Sequence, residues 1–252
     1  MLPRWLSAWN VASRREAEAW VAAGRVRVDG RVVRDVTAWV LEGARVEVDG
    51  ARVGPASAPP QWWMLHKPRG CVTTTHDPEG RPTVMTLVPP AAGLAPVGRL
   101  DRDSQGLLLL TQDHGLAASL TAPETHVTKV YRVKVRGRPS ERAMLRLRTT
   151  TLHQEGLALG PLGLAPLEET SRGSWWEVTL TEGKNRQIRR RFEHEGHPVE
   201  TLIRVAFGPL RLGDLRPGLA RRLTAAEVAA LAAVASGRDA AGERVGGVDV
   251  EV

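Results

Sequence analysis

Two carboxylates one residue apart, Asp101 and Asp103, stand in the stretch GRLDRDSQGLLLLTQD, Gly98 to Asp113. Three chemistries suit that pattern. As D-x-D-x-x-G it matches the front of a calcium loop, with oxygen ligands at the first and third positions and glycine at the sixth. As a polar turn it would use its carboxylates to accept from backbone N–H groups. As a turn feeding a buried strand it would hold one carboxylate at the mouth of a pocket. Calcium fits worst. The fifth position is Gln105, and the twelfth, which should be a bidentate glutamate, is Gln112. Arg99 and Arg102 add positive charge, and GLLLL reads as a buried strand where a helix is required.

Two other segments could carry chemistry. In KVYRVKV, strand alternation puts Val130, Arg132 and Lys134 on one face and Tyr131, Val133 and Val135 on the other. Tyr131 is the only tyrosine in a chain with eight tryptophans. In EGKNRQIRRRFEHEG, five of the eight residues from Lys184 to Arg191 are basic. Ile188 and Phe192 give that helix a narrow apolar stripe. Arg189 borders the stripe, so its guanidinium should be partly buried and in need of an anion. Arg186 and Arg190 read as a solvated basic face. The seven histidines are scattered, and no Cys/His cluster has zinc spacing, so neither a metal nor a cofactor is expected.

The elements that must position these residues fall into two units. In residues 1–50, LPRWLSAWN spaces Leu2, Trp5, Leu6 and Trp9 along one helical face. Ser13 and Glu16 form a capping box for a second helix that stops at Gly24. Alternating runs around Asp29-Gly30 and Asp49-Gly50 predict hairpin turns. Arg14 and Arg15 occupy a helical first turn, where the dipole favours anions, and a bound phosphate would resolve that conflict. Residues 51–61, rich in Pro, Ala and Gly, read as a linker. From 62 to 236, strands are expected in QWWMLHK, GLLLLTQD, KVYRVKVRG and SWWEVTLTEG, and helices in DHGLAASL, SERAMLRLR and NRQIRRRFEHEG. A final helix in LTAAEVAALAAVAS is capped by Thr224 and Glu227. The mixed order without strict β-α-β alternation argues an α+β fold with a mainly antiparallel mixed sheet flanked by helices. Residues 237–252 read as a loosely ordered tail.

The formal charge of +7 is almost all arginine, with only Lys67, Lys129, Lys134 and Lys184 as lysines. Arginine grips phosphate through a planar fork, so the excess fits a nucleic-acid partner. One cysteine, Cys71, allows no internal disulfide and suits a reducing compartment. The N-terminus is a poor signal peptide and no window is long enough to span a membrane, so a soluble cytoplasmic chain is expected.

Taken together, the segments resemble the ribosomal RNA pseudouridine synthases that carry an N-terminal S4 RNA-binding domain. ASRREAEAWVAAGRVRVDGRVV resembles the S4 domain, and LHKPRG the opening strand of the catalytic domain. VGRLDRDSQGLLLLTQD resembles the catalytic motif. KVYRVKV, EGKNRQIRRRFEHEGHPV and LIRVAFGPLRLGDLRPG resemble the motifs that follow. The resemblance implies an S4-like domain, then a pseudouridine synthase domain, acting as a monomer on ribosomal RNA. The KPRG and LIRVAFGPL stretches lean towards the large subunit. It implies Asp101 as the catalytic carboxylate, Arg189 as its ion-pair partner, Tyr131 stacked on the target base and Ile188 in an apolar floor. Arg99 would fill the gap left by a flipped-out nucleotide, with Leu100, Arg186 and Arg190 also meeting substrate. Arg4, Ser13, Arg14, Arg15 and Arg27 would meet RNA from the S4 unit. A non-catalytic RNA-binding relative should have lost Asp101, Tyr131 or Arg189, and all three are present.

Overall fold

The computed structural model describes residues 1–9, 11–12, 14–41, 43–54, 59–91 and 93–237, with only the backbone of Ala8. The capping role expected of Ser13 and the tail expected beyond Gly237 lie outside the described residues.

The small unit begins with helices α1 (Leu2–Ala8) and α2 (Arg14–Ala22). Four short strands follow: β1 (Val26–Val28), β2 (Arg31–Val33), β3 (Val46–Val48) and β4 (Ala51–Val53). They form a sheet in the order β2-β1-β3-β4. Both hairpin turns form where Asp-Gly pairs predicted them. Asp29 and Gly30 have φ of 50° and 78°, and Asp49 and Gly50 have 50° and 82°, the left-handed pairs that two-residue turns demand. Leu2, Leu6, Ala17, Val21, Val26 and Val46 close one apolar core between helices and sheet. Ala51–Val53 corrects the expected linker. Its three residues pair with β3 as an antiparallel strand, because Ala-Arg-Val continues the alternation of the hairpin.

The larger unit opens with β5 (Trp62–Lys67), then β6 (Ala95–Val97), β7 (Gln105–Thr111), α3 (His114–Thr121), β8 (Lys129–Arg136) and α4 (Glu141–Thr149). A hairpin of β9 (Leu152–Gln154) and β10 (Leu157–Leu159) precedes β11 (Gly163–Glu169), β12 (Gly173–Leu180) and α5 (Gln187–His194). The chain continues through β13 (Val199–Phe207), β14 (Leu210–Arg211), β15 (Ala220–Arg222) and α6 (Ala225–Ala235). The main sheet runs β11-β12-β8-β13-β7-β5-β15, with β14 on β13 and β6 on β7. Its described pairings are antiparallel except β13 with β7.

The leucine block of β7 explains its own composition. Leu107 and Leu109 face a core shared with α3 and α6. Leu108 and Leu110 face the opposite core, with Leu65, Val84 and Leu100. A strand covered on both faces reads as a continuous apolar run. A third cluster packs Ile188 and Phe192 of α5 against Val133, Val135 and Val178. The Thr224–Glu227 capping box starts α6 as the sequence predicts.

Candidate active site

A cleft of about 570 Å³ lies on the sheet where β8, β13 and the start of β7 meet, closed by the segment leading into α5. Asp101, Leu100, Tyr131, Arg186, Ile188 and Arg204 all line it.

The turn carrying Asp101 is held from behind by the end of β5. Lys67 is fully buried, and its Nζ donates to the carbonyl oxygens of Asp101 at 3.0 Å, Ser104 at 2.9 Å and Pro68 at 3.1 Å. Burial pulls the Lys67 ammonium below its usual range, while Cys71, Asp101 and Asp103 act to raise it. Thr73 donates its hydroxyl to Leu100 O at 2.7 Å, and Gly70 N donates to Arg102 O at 2.8 Å. The backbone of residues 100–104 is thus tied down by its carbonyls. The carboxylate of Asp101, with 34% of its side chain exposed, is left at the cleft.

Gly106 sets where β7 begins. Its φ is +108°, and a Cβ there would overlap Arg204 O and stand 2.5 Å from Arg204 N. Only glycine lets β7 run this close to β13. The glycine of the D-x-D-x-x-G pattern therefore serves a strand crossing rather than an ion loop. Both aspartates also face a cation: Arg186 Nη1 is 3.7 Å from Asp101 Oδ2 and 3.4 Å from Asp103 Oδ1.

The expected pairing of Arg189 with Asp101 is corrected. Arg189, only 7% exposed, sits 3.3 Å from Asp103 Oδ2 through Nη2, donates to Asp103 O at 3.2 Å, and donates from Nη1 to Val199 O at 3.2 Å. Arg186 is the cation on Asp101. Arg189 lies in the first turn of α5, while Arg186 is the left-handed residue just before it, φ 50°. The buried one meets the base of the aspartate turn and the half-exposed one meets its tip. Burial lowers the Arg189 pKa and Asp103 counteracts it.

Tyr131 is half-buried between two of the cores and lines the cleft from β8. Ile188, 4% exposed, and Leu100, 6% exposed, supply its apolar wall. Arg99 is exposed at the rim. Arg190 is not at the cleft, which corrects its expected substrate role. One residue further round the helix, it points to the β9–β10 turn and pairs with Glu155 at 2.8 Å. In the small unit Arg4, Arg14, Arg15 and Arg27 are exposed. Arg14 is paired with Glu18 at 3.2 Å, and Arg27 donates to Gly30 O at 3.1 Å.

The RNA pseudouridylate synthase family model matches residues 61–194, and the S4 domain model matches residues 2–46. The chain belongs to the RNA pseudouridylate synthase family. It is 37% identical over 230 residues to the ribosomal large subunit pseudouridine synthase B of Bacillus subtilis strain 168, covering 90% of this chain and 93% of that one. It is 36% identical over 217 residues to an uncharacterized RNA pseudouridine synthase of Rickettsia prowazekii strain Madrid E, covering 86% and 91%. A solved pseudouridylate synthase superposes with a TM-score of 0.65 at 26% identity, covering 91% of this chain and 98% of the other.

Three residues of this synthase escaped the sequence reading of the site. Lys67 ends an apolar strand, and a lysine there signals either an exit to solvent or a buried staple. Lys129 shares the Tyr131 face of β8, two residues away, so alternation already carried its signal. It is half-buried, and burial first and Arg204 second lower its pKa. Arg204 interrupts the apolar run LIRVAF and is 4% exposed.

Proposed function

We propose that this synthase converts a uridine of ribosomal RNA, in the large subunit, to pseudouridine, with Asp101 as the reacting carboxylate on a flipped-out nucleotide. One observation carries the assignment: the turn's backbone carbonyls are bound to Lys67 while the Asp101 carboxylate, with Arg186 3.7 Å away, faces a cleft walled by Tyr131, Leu100 and Ile188. A carboxylate that merely shaped the turn would be the group bound by the backbone, and that task falls to Asp103 and the carbonyls.

A uridine stacked in a helix hides its glycosidic bond, so the target must leave the stack. Flipping costs a few kcal/mol, and stacking on an aromatic ring returns about 1–3 kcal/mol. Tyr131 is the aromatic of the cleft suited to that role, and Arg99 at the rim can enter the space the base vacates. Asp101 then either attacks C1′ of the ribose or removes a proton from C2′. By either route the N1–C1′ bond breaks with its electron pair on the base and the uracil turns. C5 then bonds to C1′, displacing the Asp101 carboxylate by the first route or with the proton returned from Asp101 to C2′ by the second, and the C5 proton leaves. Arg186, 3.7 Å from Asp101 Oδ2, is placed to orient the carboxylate for this step. The exposed arginines of the small unit would supply sequence-independent phosphate contacts.

The large-subunit assignment rests on the Bacillus relative, which carries that substrate in its name. Mapping pseudouridines in both ribosomal RNAs from cells with and without the gene tests the reading. One large-subunit position should lose its pseudouridine and return when the intact gene is restored. An unchanged map, or a lost position in the small subunit, would overturn it.

A further inference from the structure

Arg204 is a buried cation of the cleft whose guanidinium lies over the Phe207 ring, 5.3 Å from its centroid. It is 4% exposed, yet no carboxylate among the described residues pairs with it. Its Nε donates to Leu107 O at 2.7 Å, which fixes the guanidinium plane. Its Nη2 is buried and has no hydrogen-bond partner. A buried cation in this state is costly unless a ligand completes it. Arg204 lines the cleft and is the direct cross-strand partner of Tyr131 in the β13–β8 ladder, so the two side chains share one face of the sheet. A base stacked on Tyr131 would bring its edge beside Arg204.

We propose that Arg204 donates from Nη2 to a carbonyl oxygen of the target uracil, and that the same donor serves the base before and after it turns. This inference rests on the proposed reaction. Uracil is nearly symmetric about the line through N3 and C6. Turning the ring by half a revolution about that line exchanges N1 with C5 and O2 with O4. The isomerisation needs C5 where N1 was, and that rotation leaves a carbonyl oxygen facing the same donor. A guanidinium pinned by Leu107 O can thus hold the ring in its plane at both ends of the rotation without moving. Between the ends, the uracil carries the electron pair of the broken N1–C1′ bond, spread onto both carbonyl oxygens, and a fixed cation stabilises that anion most. Arg204 would also reject cytosine. Its amino group replaces one of the two carbonyls and would present a donor to a donor in one orientation.

The test uses the full-length protein and an RNA fragment carrying the mapped target, with uridine, 2-thiouridine or 4-thiouridine at that position and tritium at C5. Sulfur accepts hydrogen bonds more weakly than oxygen. The wild-type protein should release tritium from both thio substrates more slowly than from uridine, on the order of tenfold or more, because each orientation exposes one of the two positions to Arg204. Arg204→Lys replaces a planar group that donates from two separate nitrogens with a single point donor, and so loses the fixed aim at the base. It should slow the uridine reaction on the order of tenfold and shrink both thio penalties to about threefold or less. A purely structural Arg204 would slow all three substrates by the same factor, and that result overturns the proposal. So does a wild-type protein that processes both thio substrates within about twofold of uridine, a measurement that needs no variant to fold. Absence of tritium release from the unmodified uridine RNA would instead overturn the underlying reaction assignment, and this inference with it.

Discussion

Arg189 and Asp103 lie 3.3 Å apart beneath the turn that presents Asp101, and Arg186 spans the tips of both aspartates. Two carboxylates one residue apart therefore have separate work. Asp103, bound to a buried guanidinium, anchors the turn to α5. Asp101, with Arg186 3.7 Å from its Oδ2, lines the cleft.

Asp101→Asn should abolish pseudouridine formation and leave folding intact. The amide can neither attack C1′ nor take a ribose proton, while the loop stays bound through Lys67. RNA affinity should hold within a few fold, since phosphate contacts and stacking dominate it. Tritium release from uracil C5 reads the chemistry and filter binding reads the affinity. An active Asp101→Asn protein would remove Asp101 from the reaction.

The two arginines of α5 should separate by readout. Arg189→Lys loses the two-pronged hold on Asp103 and Val199 O inside the protein, and should lower stability by about 1–3 kcal/mol along with turnover. Arg186→Lys, at the half-exposed rim, should change stability by less than about 0.5 kcal/mol and act mainly on turnover. Urea titrations beside single-turnover rates distinguish them. Equal stability losses would show that the buried and the exposed guanidinium are not doing different jobs.

Gly106→Ala should be among the most damaging single changes in the chain. The added methyl meets the Arg204 backbone, which no side-chain rotation can relieve, and the residue sits at φ +108°. A loss above about 3 kcal/mol, or failure to fold, is expected. By contrast Gly156→Ala, at φ +75° in the open β9–β10 turn, meets nothing within 4 Å and should cost only about 1 kcal/mol. Thermal melts of the pair check the ranking.

Glu227 should give the fold a pH signature. Hydrogen bonds from Arg221 hold its carboxyl down to about 2 from an ordinary 4.5, so the folded state prefers it ionised. Its stabilisation is complete above about pH 4.5 and is lost as pH falls towards 2. Glu227→Gln should therefore be less stable than wild type by about 1–2 kcal/mol at neutral pH, after allowance for solvent screening, and the gap should close in acid. Urea midpoints of both proteins from pH 7 down to pH 3 follow this. A gap independent of pH would point to lost capping geometry rather than lost charge.

Local signals in the chain were readable where one short stretch decides one element. Asp29-Gly30 and Asp49-Gly50 specify their turns through positive φ, Thr224 and Glu227 specify a helix start, and the doubly covered β7 announces itself in four leucines. Alternation and helical spacing say which way Tyr131 and Ile188 point, while bringing them together with Asp101 took the resemblance to the family. What stayed hidden depends on relations between distant segments. Which aspartate meets which arginine follows from α5 starting at Gln187 with Arg186 in a left-handed conformation, φ 50°, a rotation that the basic run does not encode. Lys67 and Arg204 look like ordinary strand residues until the carbonyls they bind, on another strand or turn, are known. Ala51–Val53 was lost among small residues because three-residue strands carry little periodicity.

The joint between β7 and β13 has a consequence for when activity can begin. Leu107 and Arg204, which meet there, are separated by 97 positions along the chain. At about 5–20 residues per second, a translating ribosome needs roughly 5–20 s between emitting the aspartate turn and emitting its neighbouring strand. Throughout that interval the nascent chain holds Lys67 and Asp101 but lacks the wall made by α5 and β13. The ribosome building this synthase thus sits beside an unfinished enzyme until β13 has emerged.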